Sequence, residues 1–595
     1  MNNFWKTFLA ALCGTLAALF ICWLLVIAMI GSIAALSQKS EPSVPSSAIL
    51  KIDLSKQVGE RTKNDPFAGF NPAALQFKIS NESTLGVYDA VRAIKQAADD
   101  PAIKFIYLTG CDSPNYGISN LEEVRKALSN FHNSGKAIIA YGVNYSQGGY
   151  YMASVADKIY MNKDGMAQIM GLGTNMMFFK DLLDKLGVQV ELIRHGKFKA
   201  AAEQYIRNDI SPENKEQNLV MLNSIWNTWV KAICKSRSIT PEVFNDAVNN
   251  LKIWDAESMV ANKLADSSIT NTAMIQKLCN LFGVKNDKNL KFVSLADYAE
   301  AKVKSDAKAK DKIAILYAEG EITMDGKEGI TVKELCPVIK KISRDKSIKA
   351  VVFRVNSPGG DAQAAEIIRE ELQLLRKEKP IICSYGDYAA SGGYWISAQS
   401  DKIFTDATTL TGSIGVFSLS FNYGKGLKEH LNINTVSIGT NAHSTMGTGV
   451  SPLKPEEQAY MQQFVEKIYS QFTRIAADGR KLPVAYVDSI GQGRVWTGVD
   501  GVQKNLADYI GGLDDAVAFA AKYAKLSSYK TVDYPSVKSL EENLLAKFNN
   551  LGDGDEASKV LTDPEALIKK AYKSLTKFKG VKTYARMPYV YEFTY

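Results

Sequence analysis

One stretch of this chain occurs twice. Tyr141-Gly142…Gly148-Gly149-Tyr150-Tyr151…Asp157-Lys158-Ile159-Tyr160 returns as Tyr385-Gly386…Gly392-Gly393-Tyr394-Trp395…Asp401-Lys402-Ile403-Phe404. The offset is 244 residues from Tyr141 to Tyr385 and again from Asp157 to Asp401. Ile103-Lys104 comes back as Ile348-Lys349 after 245 residues, and Trp254…Asp266 as Trp496…Asp508 after 242. So small a drift over such a length means two homologous domains in tandem, because solenoid repeats are only about 20–50 residues long. At 595 residues the chain is also too long for a single core. The repeats are expected over 41–300 and 311–526, with a hinge in the weakly patterned stretch Ala299 to Lys310.

Inside each copy, short apolar β-branched runs alternate with amphipathic stretches, the signature of an α/β fold with parallel sheets. In the second copy the expected strands are Ile313–Tyr317, Ala350–Val355, Ile381–Tyr385 and Lys402–Thr405. Between them, Thr331 to Ser343 and Ala362 to Lys377 read as helices, with Pro337 breaking or kinking the first. The segment after about Ser527 repeats nothing and reads as a helical extension (527–595) ending in an aromatic tail, Tyr589 to Tyr595.

The N-terminus has a different character. From Thr7 to Gln38 no residue is charged, a run of 32 positions. About 20 apolar residues span a bilayer, whereas a cleavable signal's apolar region is about 7–15, so an uncleaved transmembrane anchor within 1–40 is favoured. Lys6 precedes the run, and Lys39 and Glu41 nearly cancel after it. This balance favours an inner-membrane protein with its N-terminus inside and its bulk outside the cytoplasm. A Ser/Pro-rich spacer, Ser40 to Ser47, leads to a first strand at Ala48 to Leu54. The net charge of +8 is dispersed, without an arginine-rich or aromatic-interleaved basic block, which argues against nucleic acid as a partner. The seven cysteines lack metal-ligand spacing and read as free thiols, and no metal or cofactor is expected.

The chemistry is carried by Ala389-Ala390-Ser391-Gly392-Gly393-Tyr394-Trp395. A buried strand, Pro380 to Tyr385, runs in, and a helix, Tyr394 to Ser400, can run out. Such a turn lifts the Ser391 hydroxyl out of the backbone, while the glycines leave room for a substrate and the first helical amides face developing negative charge. A second glycine turn, Asn356-Ser357-Pro358-Gly359-Gly360-Asp361, ends the preceding strand and supplies further N–H groups. A serine also needs a base. Among four histidines only His195 has neighbours of interest, and none lies near either turn. Lysine is the other option if burial lowers its pKa from about 10.4, and Lys199, between Phe198 and Ala200-Ala201-Ala202, has a desolvating setting.

Ser-Pro-Gly-Gly (357–360), Ala-Ser-Gly-Gly-Tyr-Trp (390–395), Thr411-Gly412-Ser413-Ile414-Gly415 and Phe198-Lys199-Ala200…Glu203 together resemble the long form of the signal peptide peptidase A (protease IV) family. The resemblance runs from the anchor through both repeats to about residue 525. It implies a crotonase-like fold shared with the Clp proteolytic subunit, and a Ser/Lys dyad. Ser391 would be the nucleophile, Lys199 the base and Ser413 the hydroxyl that orients the lysine. Gly392 with Gly359 or Gly360 would form the oxyanion hole. It also implies homo-oligomers, typically tetramers, that degrade cleaved signal peptides in the membrane.

The repeat gives a check of its own. At the 244-residue offset the first copy's counterpart of Ser391 is Gln147, and the second copy's counterpart of Lys199 is His443, or Ser444 at 245. Each copy has lost the half of the pair that the other keeps. Two other classes compete. An acyl-CoA hydratase or isomerase would need a glutamate pair at the glycine turns, and a non-catalytic envelope scaffold would need neither group.

Overall fold

The computed structural model describes residues 42–63, 84–304, 306–326, 329–536 and 583–587, together with residues 8, 14–16 and 20–21. The expected span, Thr7 to Gln38, thus lies almost wholly outside the described residues. Among the described residues no helix is long and apolar enough to cross a membrane.

Each copy is built on a parallel sheet. Across the first, the order is Ser267–Ser268, Lys158–Met161, Ile138–Gly142, Ile103–Thr109, Ala48–Asp53, Phe292–Ser294, and every neighbouring pair is parallel. The second repeats the order: Tyr509–Ile510, Lys402–Thr405, Ile381–Ala390, Ile348–Ser357, Lys312–Glu319, Lys530–Tyr534, again all parallel. Strands covered on both faces read as unbroken apolar runs, as at Ile313 to Leu316, all 0% exposed. Even side-chain bonds are duplicated. Tyr150 donates its hydroxyl to the Leu264 carbonyl (2.8 Å) as Tyr394 does to Leu506 (3.1 Å). The carboxylates of Asp266 and Asp508 accept the amides of Ile159 and Ile403, each at 2.9 Å.

The expected elements lie where the pattern puts them. Lys402–Thr405 is a strand as read, and the other expected strands of the second copy each extend a few residues further: Lys312–Glu319, Ile348–Ser357 and Ile381–Ala390. Val332–Arg344, capped by Thr331, accommodates Pro337, and Ala362–Glu378 is capped by Asp361. Two readings change. The stretch from Ala299 is no free hinge, since the helix Leu295–Lys302 packs Tyr298 and Ala299 into the core. Lys530–Tyr534, in the segment read as helical and unrepeated, is a strand that pairs with Lys312–Glu319 as Phe292–Ser294 pairs with Ala48–Asp53. Its alternating Lys530-Thr-Val-Asp-Tyr534 is a β pattern, but its residue types differ from those of Phe292–Ser294, so no sequence match marks the correspondence. The tail Tyr589 to Tyr595 lies outside the described residues.

A third sheet joins the copies. Its order is Ile330–Thr331, Ile322–Thr323, Gly359–Asp361, Thr583–Arg586, Val416–Asn422, Gln189–His195. Here a first-copy strand pairs antiparallel with a second-copy strand, from Val416 opposite His195 to Asn422 opposite Gln189. Gln189–His195 leads directly to Lys199, so this pairing carries the lysine across to the other repeat.

Candidate active site

Ser391 sits between the end of Ile381–Ala390 and the short helix Gly392–Ser397, at φ 56° and ψ −115°. A non-glycine residue at positive φ costs roughly 1–3 kcal/mol and survives only where its surroundings impose it. Here the Ser391 amide donates to the Gly412 carbonyl at 2.8 Å, and the Ser391 carbonyl accepts from the Trp395 amide at 2.8 Å. Gly393 is required, because a Cβ there would stand 2.7 Å from the Ser357 carbonyl oxygen. Ser391 is fully buried.

The Lys199 amine reaches Ser391 from the other copy. Its Nζ lies 2.8 Å from Ser391 Oγ, 3.1 Å from Ser413 Oγ and 3.1 Å from the Ser413 carbonyl oxygen. Lys199 is 1% exposed, with no carboxylate among these partners. Burial alone pushes its pKa well below the ordinary lysine value, since a dry site penalises the ammonium form. Ser413, also at positive φ (50°), donates its amide to the Arg494 carbonyl and its hydroxyl to the Gly493 carbonyl.

The loop bearing Lys199 is held on several sides. Phe198 donates its amide to the Gln492 carbonyl at 2.9 Å, and Arg194 Nη1 donates to the Lys199 carbonyl at 3.0 Å. Glu203, fully buried, accepts from Ser211 Oγ and Asn214 Nδ2, with Arg194 3.6 Å away. Gly493 presses against the lysine so closely that a Cβ would lie 2.6 Å from both its nitrogen and its Cβ. Arg194 and Gly493 were given no role from the sequence, and Glu203 was named only as the end of the motif that begins at Phe198. Nothing in residue type marks a glycine 294 positions from the lysine it cradles.

The two glycine turns face each other. A Cβ on Gly392 would lie 3.1 Å from the Gly360 nitrogen, and one on Gly359 would lie 2.7 Å from the Gly392 nitrogen. The Gly359 amide donates to Ser357 Oγ, whose own hydroxyl binds the Gly320 carbonyl. Three expected bystanders stand elsewhere. His195 stacks on Tyr469 at 3.6 Å and contacts Glu466 and Gln492. His443 pairs with Glu457 at 2.9 Å. Gln147 starts the helix Gln147–Ala153, its amide group bonded to the backbone of Met170 and Gly171.

An elbow serine whose own glycine turn faces a second one, in tandem parallel α/β repeats, has the arrangement of a serine peptidase, and the comparisons with known proteins show that class. The family model described as Peptidase family S49 matches it twice, over 130–285 and 373–527, and the chain belongs to that family. It is similar to Protease 4 of Salmonella typhi, 36% identical over 465 residues, which cover 75% of this chain and 73% of the relative. The chloroplastic serine protease SPPA of Arabidopsis thaliana is 31% identical over 466 residues (77% of this chain, 68% of the relative). A putative signal peptide peptidase SppA of Enterococcus faecium is 35% identical over 221 residues (37% and 64%).

Proposed function

We propose that this chain is a membrane-anchored endopeptidase that uses a Ser391–Lys199 dyad to degrade cleaved signal peptides and other short apolar peptides. The observation that carries the reading is the 2.8 Å contact between the two functional groups in a site closed to water. A neutral amine has two N–H groups and one lone pair. The two N–H groups suit the Ser413 carbonyl and hydroxyl oxygens, which leaves the lone pair for the Ser391 O–H. As Ser391 Oγ adds to a peptide carbonyl, Lys199 takes the hydroxyl proton and then gives it to the departing amine. The Gly392 amide and an amide of the Gly359-Gly360 turn are aimed where the oxyanion forms. Water then hydrolyses the acyl ester by the same route. The name of the Enterococcus faecium relative and the resemblance of the four motifs support signal peptides as substrates.

Replacement of Ser391 removes the nucleophile, and replacement of Lys199 leaves its hydroxyl protonated. Members of one catalytic unit act together, so Ser391→Ala, Lys199→Ala and the double variant should each lose roughly 10⁴-fold or more in kcat/KM to a similar depth. Gln147→Ala and His443→Ala should retain most activity. Near-normal turnover of a fluorogenic apolar peptide by folded Lys199→Ala would end the dyad reading.

The 32-residue uncharged run from Thr7 supports single-pass anchoring in the bacterial inner membrane with the peptidase domains outside the cytoplasm. Protease added to intact spheroplasts should digest those domains, and their protection until the membrane is broken would refute this topology. We also propose that the chain assembles with copies of itself, as the family resemblance implies.

A further inference from the structure

One ion pair of the second copy is parted in the first. The helix Ile118–Phe131 corresponds, 244 residues on, to Ala362–Glu378, so Glu122 and Arg125 answer to Glu366 and Arg369. Arg369 holds Glu366 in a fork, its Nε and Nη2 donating to the two carboxylate oxygens at 2.7 and 2.8 Å. Glu122 turns away from Arg125 to the other repeat, where it accepts the amides of Ala407 and Thr408 and the Thr408 hydroxyl.

Arg125 is left among neutral partners. Its Nε donates to the Tyr151 carbonyl at 2.9 Å, and its Nη2 to Ser154 Oγ, the Ala232 carbonyl and Ser236 Oγ at 3.0 to 3.2 Å. The guanidinium carbon lies 4.8 Å from the Tyr151 ring centroid. Among the described residues no carboxylate pairs with it, although it is only 7% exposed. Arginine keeps its proton, and a buried charge without a counter-ion is strongly unfavourable.

This side chain forms part of the wall of a cavity of about 700 Å³ at the seam of the repeats, with Asp406 and Ile510 of the second copy opposite the first-copy residues. The acids on that wall are already committed. Burial, then the charges of Glu123 and Glu122, hold the Asp406 carboxyl well above the usual carboxylate range, in its neutral form. Asp157 accepts the Ile138 amide at 2.7 Å and pairs with His132 at 3.4 Å. Lys235, exposed on the same wall, adds a second cation that no carboxylate among the described residues pairs with. Tyr151, Val155 and Ile510 give the wall an apolar part.

We infer that this cavity binds an organic carboxylate, which gives Arg125 the counter-ion that Glu366 gives Arg369. Lys235 assists, and the apolar part of the ligand lies against Tyr151, Val155 and Ile510. Neither Ser391 nor Lys199 lies on this wall, so the site is separate from the dyad. A fatty acid and the C-terminus of an apolar peptide share the required chemistry.

Calorimetric titration of the full-length chain in detergent tests this, with Ser391→Ala in place so that no added peptide is cut. The probes are hexanoate, N-acetyl-leucylalanine, the amide of each, and inorganic phosphate. At least one of the two acids should bind, and its amide at least about tenfold more weakly, since a charge-assisted hydrogen bond is lost. Binding of hexanoate alone assigns a fatty acid, and binding of the dipeptide acid alone assigns a peptide terminus. Adding Ser236→Asp, at an exposed helix position beside Arg125, supplies a carboxylate from within and should weaken binding at least about tenfold. Adding Lys235→Gln should weaken it severalfold. Binding of neither acid, equal binding of acid and amide, or binding of phosphate alone overturns the inference. Undiminished binding in both variants places the ligand elsewhere and overturns it too.

Discussion

As the base of the proposed dyad, Lys199 works only if it is neutral when a substrate arrives. Its burial lowers the pKa, so the amine becomes available at a pH well below the usual lysine range. A base is lost as it gains a proton, so kcat/KM should fall as pH drops through that lowered pKa, with a single acid limb, and Lys199→Arg should be inactive because arginine keeps its proton. A limb that stays in place in Lys199→Ala, or one abolished by His195→Ala, would contradict this. Ser391 stood out in the sequence for its glycine elbow and Lys199 only as one option with apolar neighbours; it took the family resemblance to join them as nucleophile and base. The surroundings that make them a pair were not legible. Gly493 and Arg194 act through backbone proximity and carbonyl contacts, which leave no mark on residue type or spacing.

Among the elements, the helix Ile118–Phe131 shows how closely the copies depend on each other. It has no side-chain cap of its own at Gly117. Asp387, on the strand leading to Ser391 in the other copy, supplies one, accepting the Ser119 amide and hydroxyl, each at 2.8 Å. Glu122 of the same helix accepts the amides of Ala407 and Thr408, and Glu123 accepts that of Leu513. Burial, reinforced by nearby Glu60, raises the Asp387 carboxyl from 3.8 to about 6. An acid with a raised folded-state pKa favours the fold when protonated, so its contribution is full below about 4 and is lost as pH rises through about 6, some 3 kcal/mol across the window. Asp387→Asn keeps the acceptor without the charge. It should unfold like wild type in urea at pH 4 and be about 3 kcal/mol more stable at pH 8, whereas equal stability at both would refute the assignment. Hydrophobic pattern revealed the strands and helices of the second copy, but not the third sheet. Several of its strands, such as Ile330–Thr331, Ile322–Thr323 and Gly359–Asp361, are short glycine- or threonine-containing segments that become strands only once partners arrive.

At the scale of the whole molecule, the copies meet around a fully buried guanidinium. Arg354 of the second copy binds Glu60 (2.5 Å) and Glu123 (2.8 Å) of the first, as well as Ser384 and the Tyr385 carbonyl. The duplication itself was legible from its constant offset, but the way one copy lends a strand to the other was not. That loan also leaves a strand over. The helix Lys180–Lys185 and the strand Gln189–His195 have counterparts, 244 residues on, in the helix Gly424–Leu431 and the irregular stretch 433–439. This stretch pairs with no strand among the described residues and exposes Ile433, Val436 and Ile438, the last 89% exposed. Under the self-assembly proposed above, repeat symmetry would pair it with the neighbourhood of Met177, also exposed, on a second copy of the chain. Wild type should therefore sediment as an oligomer in detergent, and Val436→Asp should shift it to a smaller species. A monomeric wild type, or an unchanged Val436→Asp, would exclude this contact.

The distance between the two halves of the site has a consequence in time. Chains are made from the N-terminus, and Lys199 emerges 192 residues before Ser391. A polypeptide still leaving the ribosome thus holds an amine with no hydroxyl to activate, and later a hydroxyl whose base stays solvated and charged until the two repeats dock. Only docking dries the lysine, and only a dry lysine is a base. With the dyad proposed above, the protease would therefore be chemically silent throughout its own synthesis, and its first active moment would coincide with the end of its folding.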